Sequence, residues 1–207
     1  MKKLLKKIIN NLGYDLKKLN SESKIFNSDD LLKEKVDSNP IILDIGANKG
    51  QSIDRFIKIF NNPTIHSFEP IKSEFDLMNS KFRDFDNIIL NNYAMGEIQD
   101  TREFNITAKT ANSSFNKHNN ESDWIKIRSK QHNTSTSDYI KQKIDVKINT
   151  VDNYVKENKI SKIDLLKIDT EGYEDKVLEG SYESLKSNKI AAIATEIILD
   201  NVYDKYF

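Results

Sequence analysis

The chain has 207 residues, no cysteine, 32 basic and 32 acidic side chains, and 37% hydrophobic residues. That length suits one domain with short decorations, large enough to bury a core without staples. The missing cysteines exclude disulfides, thiol nucleophiles, zinc–thiolate sites and iron–sulfur clusters; the zero net charge weighs against a global grip on nucleic acid; no apolar run approaches the roughly 20 residues of a membrane span.

Met1–Leu19 is predicted as a basic amphipathic helix. Leu4, Leu5, Ile8, Ile9 and Leu12 fall on one face, Lys2, Lys3, Lys6 and Lys7 on the other, and Gly13 ends it. Such a face can dock on the domain, on a second subunit of a homo-oligomer, or, through residues 1–12, on an anionic membrane surface. Lys6 and Lys7 interrupt the apolar residues, so the h-region of a secretory signal is missing. A cytoplasmic protein is expected, with peripheral contact at the inner face of the membrane as an option. The N-x-Ser/Thr matches at Asn105, Asn112, Asn120 and Asn133 are read as accidents of an Asn- and Ser-rich chain. Residues 20–29 form a polar linker, and Ser28 can cap a short helix through Leu31, Leu32 and Val36. The expected division is a helix and linker over 1–39 and a core domain over 40–207, with an insertion at 102–149.

After Pro40 the pattern alternates. Strands are predicted at Ile41–Ile45, Thr64–Phe68, Asn87–Tyr93, Ile163–Ile168 and Lys189–Ile198. Helices are predicted at Gln51–Phe60, with Ile53, Phe56, Ile57 and Phe60 on one face, at Phe75–Phe82, and after the turn that follows Ile168. Near-continuous apolar strands between helices indicate an α/β fold: a mostly parallel sheet covered on both faces. Arg102–Thr107 and Ile144–Asn149 have period two and are expected to pair antiparallel as an insertion between the third and fourth core strands. The polar stretch between them, Ala108–Lys143, lacks clear structure, which in a compact domain points to function or disorder.

In an open parallel sheet, ligands bind outside the carboxyl ends of the strands. The first such turn is Asp44-Ile-Gly46-Ala-Asn48-Lys-Gly50. Its glycines allow close backbone approach, and the next helix offers free N–H groups. Asn48 stands where a dinucleotide fingerprint has its middle glycine, and a carboxylate at Asp44 suits an ammonium better than a phosphate. An amino-acid-bearing nucleoside fits this turn. Glu69, in Phe68-Glu69-Pro70, can accept two hydrogen bonds from vicinal ribose hydroxyls. Asn92 and Ala94 follow the third strand, where an adenine would lie. After the fourth strand, Asp169 and Glu171 flank the turn Asp169-Thr-Glu171-Gly172-Tyr173-Glu174; the bland alternative is helix capping by Asp169 or Thr170. Glu196 ends the last strand after apolar residues, where an acid is costly unless paired or functional.

These three turns, in this order and spacing, resemble the FkbM family of S-adenosylmethionine-dependent methyltransferases. Leu12-Gly13-Tyr14-Asp15 also looks like the start of many bacterial members, and Ser113-Ser114-Phe115 resembles a paired-serine element in the family's insertion. The resemblance covers about residues 40–200. It implies a class I methyltransferase fold, S-adenosylmethionine as cofactor, and O-methylation, commonly of a sugar in a glycan, polysaccharide or natural product. Carried over by position, Asp44, Gly46, Asn48, Gly50 and Glu69 form the cofactor shell, and Asp169 and Glu171 are acceptor-side acids. The usual sheet adds two strands after its fifth, whereas this sequence ends about ten residues past Glu196, so three expectations stand: an abbreviated edge, a truncated chain, or an edge supplied by a partner.

A sugar hydroxyl must lose its proton as it attacks a methyl carbon, and a placed carboxylate can take it. Asp169 or Glu171 is expected to act as this base, with Glu196 nearby. Three close acids could instead hold a divalent cation, but no metal is assigned. His118 and His132, in the insertion, are weaker candidate bases. The alternatives are a catalytically silent module of the same fold, an NAD-dependent oxidoreductase, and, weakest, an RNA methyltransferase.

Overall fold

The structure is a computed structural model that describes residues 28–198 and 201–204. The predicted helix of residues 1–12, its stop at Gly13, and most of the linker lie outside the described residues. The chain divides into two units between Leu31 and Leu32, and the second carries both sheets. No helix among the described residues is long and apolar enough to cross a membrane.

A short helix, α1 (Ser28–Lys35), precedes the sheet. The chain then runs β1 (Ile41–Ile45), α2 (Gln51–Ile59), β2 (Thr64–Phe68), α3 (Lys72–Phe82) and β3 (Ile88–Asn91). After the insertion come α5 (Val151–Glu157), β7 (Leu165–Ile168), α6 (Glu174–Glu179), α7 (Tyr182–Lys186) and β8 (Ile193–Thr195). The five strands lie in the order β3-β2-β1-β7-β8, and every pair is parallel. This is the expected mostly parallel α/β architecture. Of the predicted last strand, only the centre is a strand; Ile190 makes an isolated bridge to Ile163.

Period-two alternation on β1 divides the core. Leu43 and Ile45 face a cluster with Val151, Tyr154, Val155 and Val177 from α5 and α6. Ile42 faces the opposite cluster, with Ile53, Phe56, Met78 and Phe82 from α2 and α3. Both faces are therefore covered, which is why these strands read as apolar runs rather than alternations.

The insertion builds a second sheet from β4 (Ala94–Met95), β5 (Asp100–Thr107) and β6 (Ile140–Asn149), in the order β4-β6-β5. β5 and β6 pair antiparallel as expected, Arg102 opposite Val146, and β4 adds parallel to β6. The stretch between them is ordered. It holds a 3-10 turn (Thr110–Asn112) and α4 (Asp123–Gln131), whose N-cap Ser122 accepts a bond from the Ile125 N–H. Its sparse aromatics were hard to read because they form a small core with distant residues: His118 stacks on Trp124 and packs against Tyr139 and Tyr203.

Candidate functional site

A cavity of about 410 Å³ opens at the carboxyl ends of β1, β2 and β7. One wall is the turn after β1, with Gly46, Ala47 and Asn48, continued by Gln51, Ser52 and Arg55 of α2. Glu69, Ile71, Ala94 and Met95 form a second wall. Lys167, Asp169, Glu171 and Tyr173 close it from β7, and Phe104, Thr110, Ala111, Ser113 and Phe115 from the insertion. The volume lies in the range usual for small-molecule sites.

The two glycines of the first turn are required by interior packing. Gly46 has φ +79°, and a Cβ there would sit 1.9 Å from the Asp169 carbonyl oxygen. Gly50 has φ +83°, and a Cβ would sit 2.4 Å from the Phe82 ring. So Gly46 lets β1 and β7 turns touch, whereas Gly50 seats α2 on α3 and does not line the cavity.

Asp44 is not at the cavity, contrary to its expected place beside a ligand ammonium. Register explains this. Asp44 pairs with Ser67 on one side and Lys167 on the other, so the three side chains share one face of the sheet. Asp44 is 0% exposed; its Oδ2 accepts from Ser52 Oγ at 2.5 Å and Ser67 Oγ at 3.3 Å. Its Oδ1 faces the Lys167 ammonium at 3.1 Å. Lys167 also donates to the Gly46 carbonyl at 2.9 Å and lies 3.5 Å from Asp169 Oδ2. Burial alone would depress the lysine, but the charges of Asp44 and Asp169 hold its pKa above the ordinary value. A chain of charges, Asp44–Lys167–Asp169, thus runs from under the glycine turn to the cavity wall.

Glu69 is 4% exposed, and its two oxygens accept backbone bonds from Asn48 and Ile71, both at 2.8 Å. Burial pushes its carboxyl up to about 7, opposed by those two N–H groups and reinforced by Glu74. Asn48, at φ +48°, is thereby fixed in the turn. Asn92 is exposed and does not line the cavity; its amide donates to the Glu69 and Pro70 carbonyls at 2.9 and 3.2 Å, which secures the Glu69 turn. Ala94 does line it.

The turn after β7 is stabilised from an unexpected residue. Neither Asp169 nor Thr170 caps α6. Glu174 reaches back, and its Oε1 accepts from the Thr170 N–H at 2.8 Å, the Thr170 hydroxyl at 3.0 Å and the Gly172 N–H at 3.2 Å. That leaves Asp169 and Glu171 free of capping duty. Glu171 is largely buried, and its carboxyl is pushed up to about 7, first by burial and then by the charges of Glu196 and Asp169. Tyr173 is held by its hydroxyl, which donates to Glu97 Oε2 at 3.0 Å and accepts from Arg102 Nη1 at 2.6 Å.

Glu196 is exposed and does not line the cavity, yet partial desolvation, then the charges of Asp169 and Glu174, raise its carboxyl above the ordinary value. Oxygens of Asp169, Glu171 and Glu196 lie within 4.8 Å of one another. That spacing could hold a metal ion, but exposed acidic groups commonly lie so close without one. His118 is 2% exposed and outside the cavity; burial depresses it to about 4, which leaves it a neutral core residue rather than a base. His132 caps the end of α4, also away from the cavity. Sequence reasoning missed Lys167 and Arg55 as wall residues. The signal for the first was a lone lysine within the apolar run Leu165–Ile168.

A family model described as the methyltransferase FkbM domain matches residues 44–205. No curated protein matches the sequence. Among solved structures, a protein of Clostridium thermocellum described as a candidate rRNA-methylase is 18% identical, with a TM-score of 0.29. That match covers 38% of this chain and 43% of the other, less than half of either. It is too slight to carry an argument.

Proposed function

The chain belongs to the FkbM methyltransferase family, and from that premise we propose that its cavity binds S-adenosylmethionine and that it methylates a hydroxyl, of a sugar in a glycan or polysaccharide. The observation that carries this reading is the meeting of the glycine turn, Glu69 and Glu171 around one cavity.

The lining residues fit such a nucleoside. Ile71 and Met95 give apolar surface beside the small Ala94, suited to an adenine. Glu69 presents a carboxylate to the ribose diol from a turn already fixed by Asn48 and Ile71. The first turn of α2 offers backbone N–H groups to the amino-acid carboxylate. Because Asp44 is sealed behind Lys167, the ammonium falls to Asp169, which lines the cavity beside Gly46.

When bound, the sulfonium supplies a methyl group for in-line displacement by an oxygen, leaving a thioether. The chain's work is to hold the acceptor in line and to take the hydroxyl proton as the carbon–oxygen bond forms. Alignment can supply about 7–11 kcal/mol of the barrier in favourable cases. Of the two acids expected as base, Glu171 is better suited. Both line the cavity, but Asp169 faces the Lys167 ammonium and is assigned the ligand's ammonium, whereas the Glu171 carboxyl is pushed up to about 7, where general-base catalysis at neutral pH is most efficient. Aromatic side chains of Phe104 and Phe115, with Tyr173, give the acceptor side an apolar platform on which a sugar ring can pack.

The test is transfer of a tritiated methyl group from S-adenosylmethionine to glycan fractions. Wild-type protein should label a glycan, and Glu171→Gln should reduce labelling about 10²- to 10⁴-fold. Undiminished labelling by Glu171→Gln would remove Glu171 from the base role.

A further inference from the structure

Glu171 has φ +54° and Gly172 φ +88°, so two successive residues are left-handed. A residue with a Cβ holds that conformation only where its surroundings impose it. Much of what imposes it here comes from far along the chain. Ser114 Oγ donates to the Glu171 carbonyl at 2.7 Å, and the Asn116 amide donates to the Gly172 carbonyl. Asn112 Nδ2 donates to Glu171 Oε1 at 3.1 Å, from 59 positions away. The Tyr203 hydroxyl reaches Glu171 Oε2 at 3.4 Å, a long bond, from 32 positions away. Both oxygens of one carboxylate are therefore held from outside its own strand–turn–helix unit.

Tyr203 is itself firmly seated. It is 0% exposed, and a Cβ on Gly172 would come within 2.4 Å of its ring, so that glycine makes room for it. Residues 201–204 lie along 117–119: the Asn119 N–H donates to the Val202 carbonyl at 2.8 Å, and the Asp204 N–H donates to the Lys117 carbonyl at 3.0 Å. The neutral His118 ring packs against Tyr203 at 4.9 Å between centroids. Asn112 belongs to the same 3-10 turn as Thr110 and Ala111, which line the cavity.

We propose that Asn112 and Tyr203 are positioning residues for Glu171: they grip its two carboxylate oxygens and keep it aimed into the cavity, on a left-handed turn whose carbonyls Ser114 and Asn116 hold. The insertion that forms the acceptor-side wall is then also the part that sets the base. This rests on the reading of Glu171 as the base. The two residues act on turnover and leave the cofactor wall untouched.

The experiment uses Asn112→Ala and Tyr203→Phe in the full chain, the second keeping the ring and hence the packing on Gly172. The Glu171 side-chain carboxyl is followed by ¹³C NMR in glutamate-labelled protein, assigned through Glu171→Gln. Its signal should move in both variants, while the signal of Glu183 on α7 and the rise in melting temperature with S-adenosylhomocysteine stay as in wild type. With S-adenosylmethionine varied against a fixed glycan fraction, KM should stay within about twofold and maximal rate fall about tenfold, part of a general-base contribution. A Glu171 signal unmoved in both variants, or loss of the response to S-adenosylhomocysteine in Tyr203→Phe, would overturn the proposal. If wild-type protein labels no glycan, the base reading fails, and the NMR comparison still decides whether these residues hold the carboxylate.

Discussion

Asp44 and Lys167 are partners in register on adjacent parallel strands, and their side chains form a buried ion pair of 3.1 Å. The pair connects two turns that look independent in the sequence. Asp44, anchored by Ser52 and Ser67, fixes Lys167, and Lys167 in turn binds the Gly46 carbonyl and Asp169. The glycine turn and the acidic turn are thus one electrostatic unit.

Removing one member should be far worse than removing both. Lys167→Met leaves a wholly buried carboxylate without its cation, and a loss of about 3–5 kcal/mol in urea unfolding is expected. The double change Asp44→Leu with Lys167→Met should recover most of that loss. A double variant as unstable as the single one would contradict the pairing.

Gly46→Ala should also destabilise strongly, by at least about 2 kcal/mol, since it combines a left-handed backbone with a collision against the Asp169 carbonyl. Gly50→Ala should cost a similar amount through Phe82, but without a change of its own in the Asp169 turn. Amide shifts of residues 169–172 would separate them: moved by the first substitution, unmoved by the second.

Glu171 gives stability a specific pH dependence. Its folded pKa, about 7, lies above its ordinary value, so the folded state binds more protons between about 4.5 and 7. Stability contributed by the group therefore falls as pH rises through that window. Glu171→Gln, which mimics the protonated form, should match wild type near pH 4.5 and exceed it at pH 8 by on the order of 1–3 kcal/mol. Comparing the two proteins cancels other titrating groups, including His66 and His118, whose depressed values act in the opposite sense. Equal stabilities at both pH values would show that Glu171 titrates normally.

Much of this architecture was legible in the sequence, because parallel strands buried on both faces leave apolar runs such as Ile41–Ile45 and Thr64–Phe68. The antiparallel β5–β6 pair was legible for the converse reason: alternation along Arg102–Thr107 marks a strand with one wet face. The helix α5 was overlooked although its signal is present, with Thr150 accepting from the Asn153 N–H at 3.0 Å and Asp152 in the first turn. What a linear reading could not supply was register and long-range contact. Asp44 reads as a ligand carboxylate until Lys167 is set beside it. Glu174 reads as one more acid until it is seen capping its own turn, and His118 reads as a loop base until Trp124, Tyr139 and Tyr203 enclose it.

Glu69 carries the cofactor proposal most directly. Its carboxylate both ties Asn48 and Ile71 and faces the cavity, so Glu69→Gln should weaken nucleoside binding about 10- to 100-fold, the loss of one to two good hydrogen bonds to a charged group. Isothermal titration with S-adenosylhomocysteine would read it, and an unchanged affinity would take Glu69 out of the ribose site.

The most direct measurement is a thermal melt of the wild-type protein with and without millimolar S-adenosylhomocysteine. A ligand that binds only the folded state at 100 times its dissociation constant adds about 2.7 kcal/mol, so a rise of several degrees in melting temperature is the expected result, diminished in Glu69→Gln. A well-folded protein whose melting temperature does not move would contradict the assignment of this cavity to the nucleoside of S-adenosylmethionine.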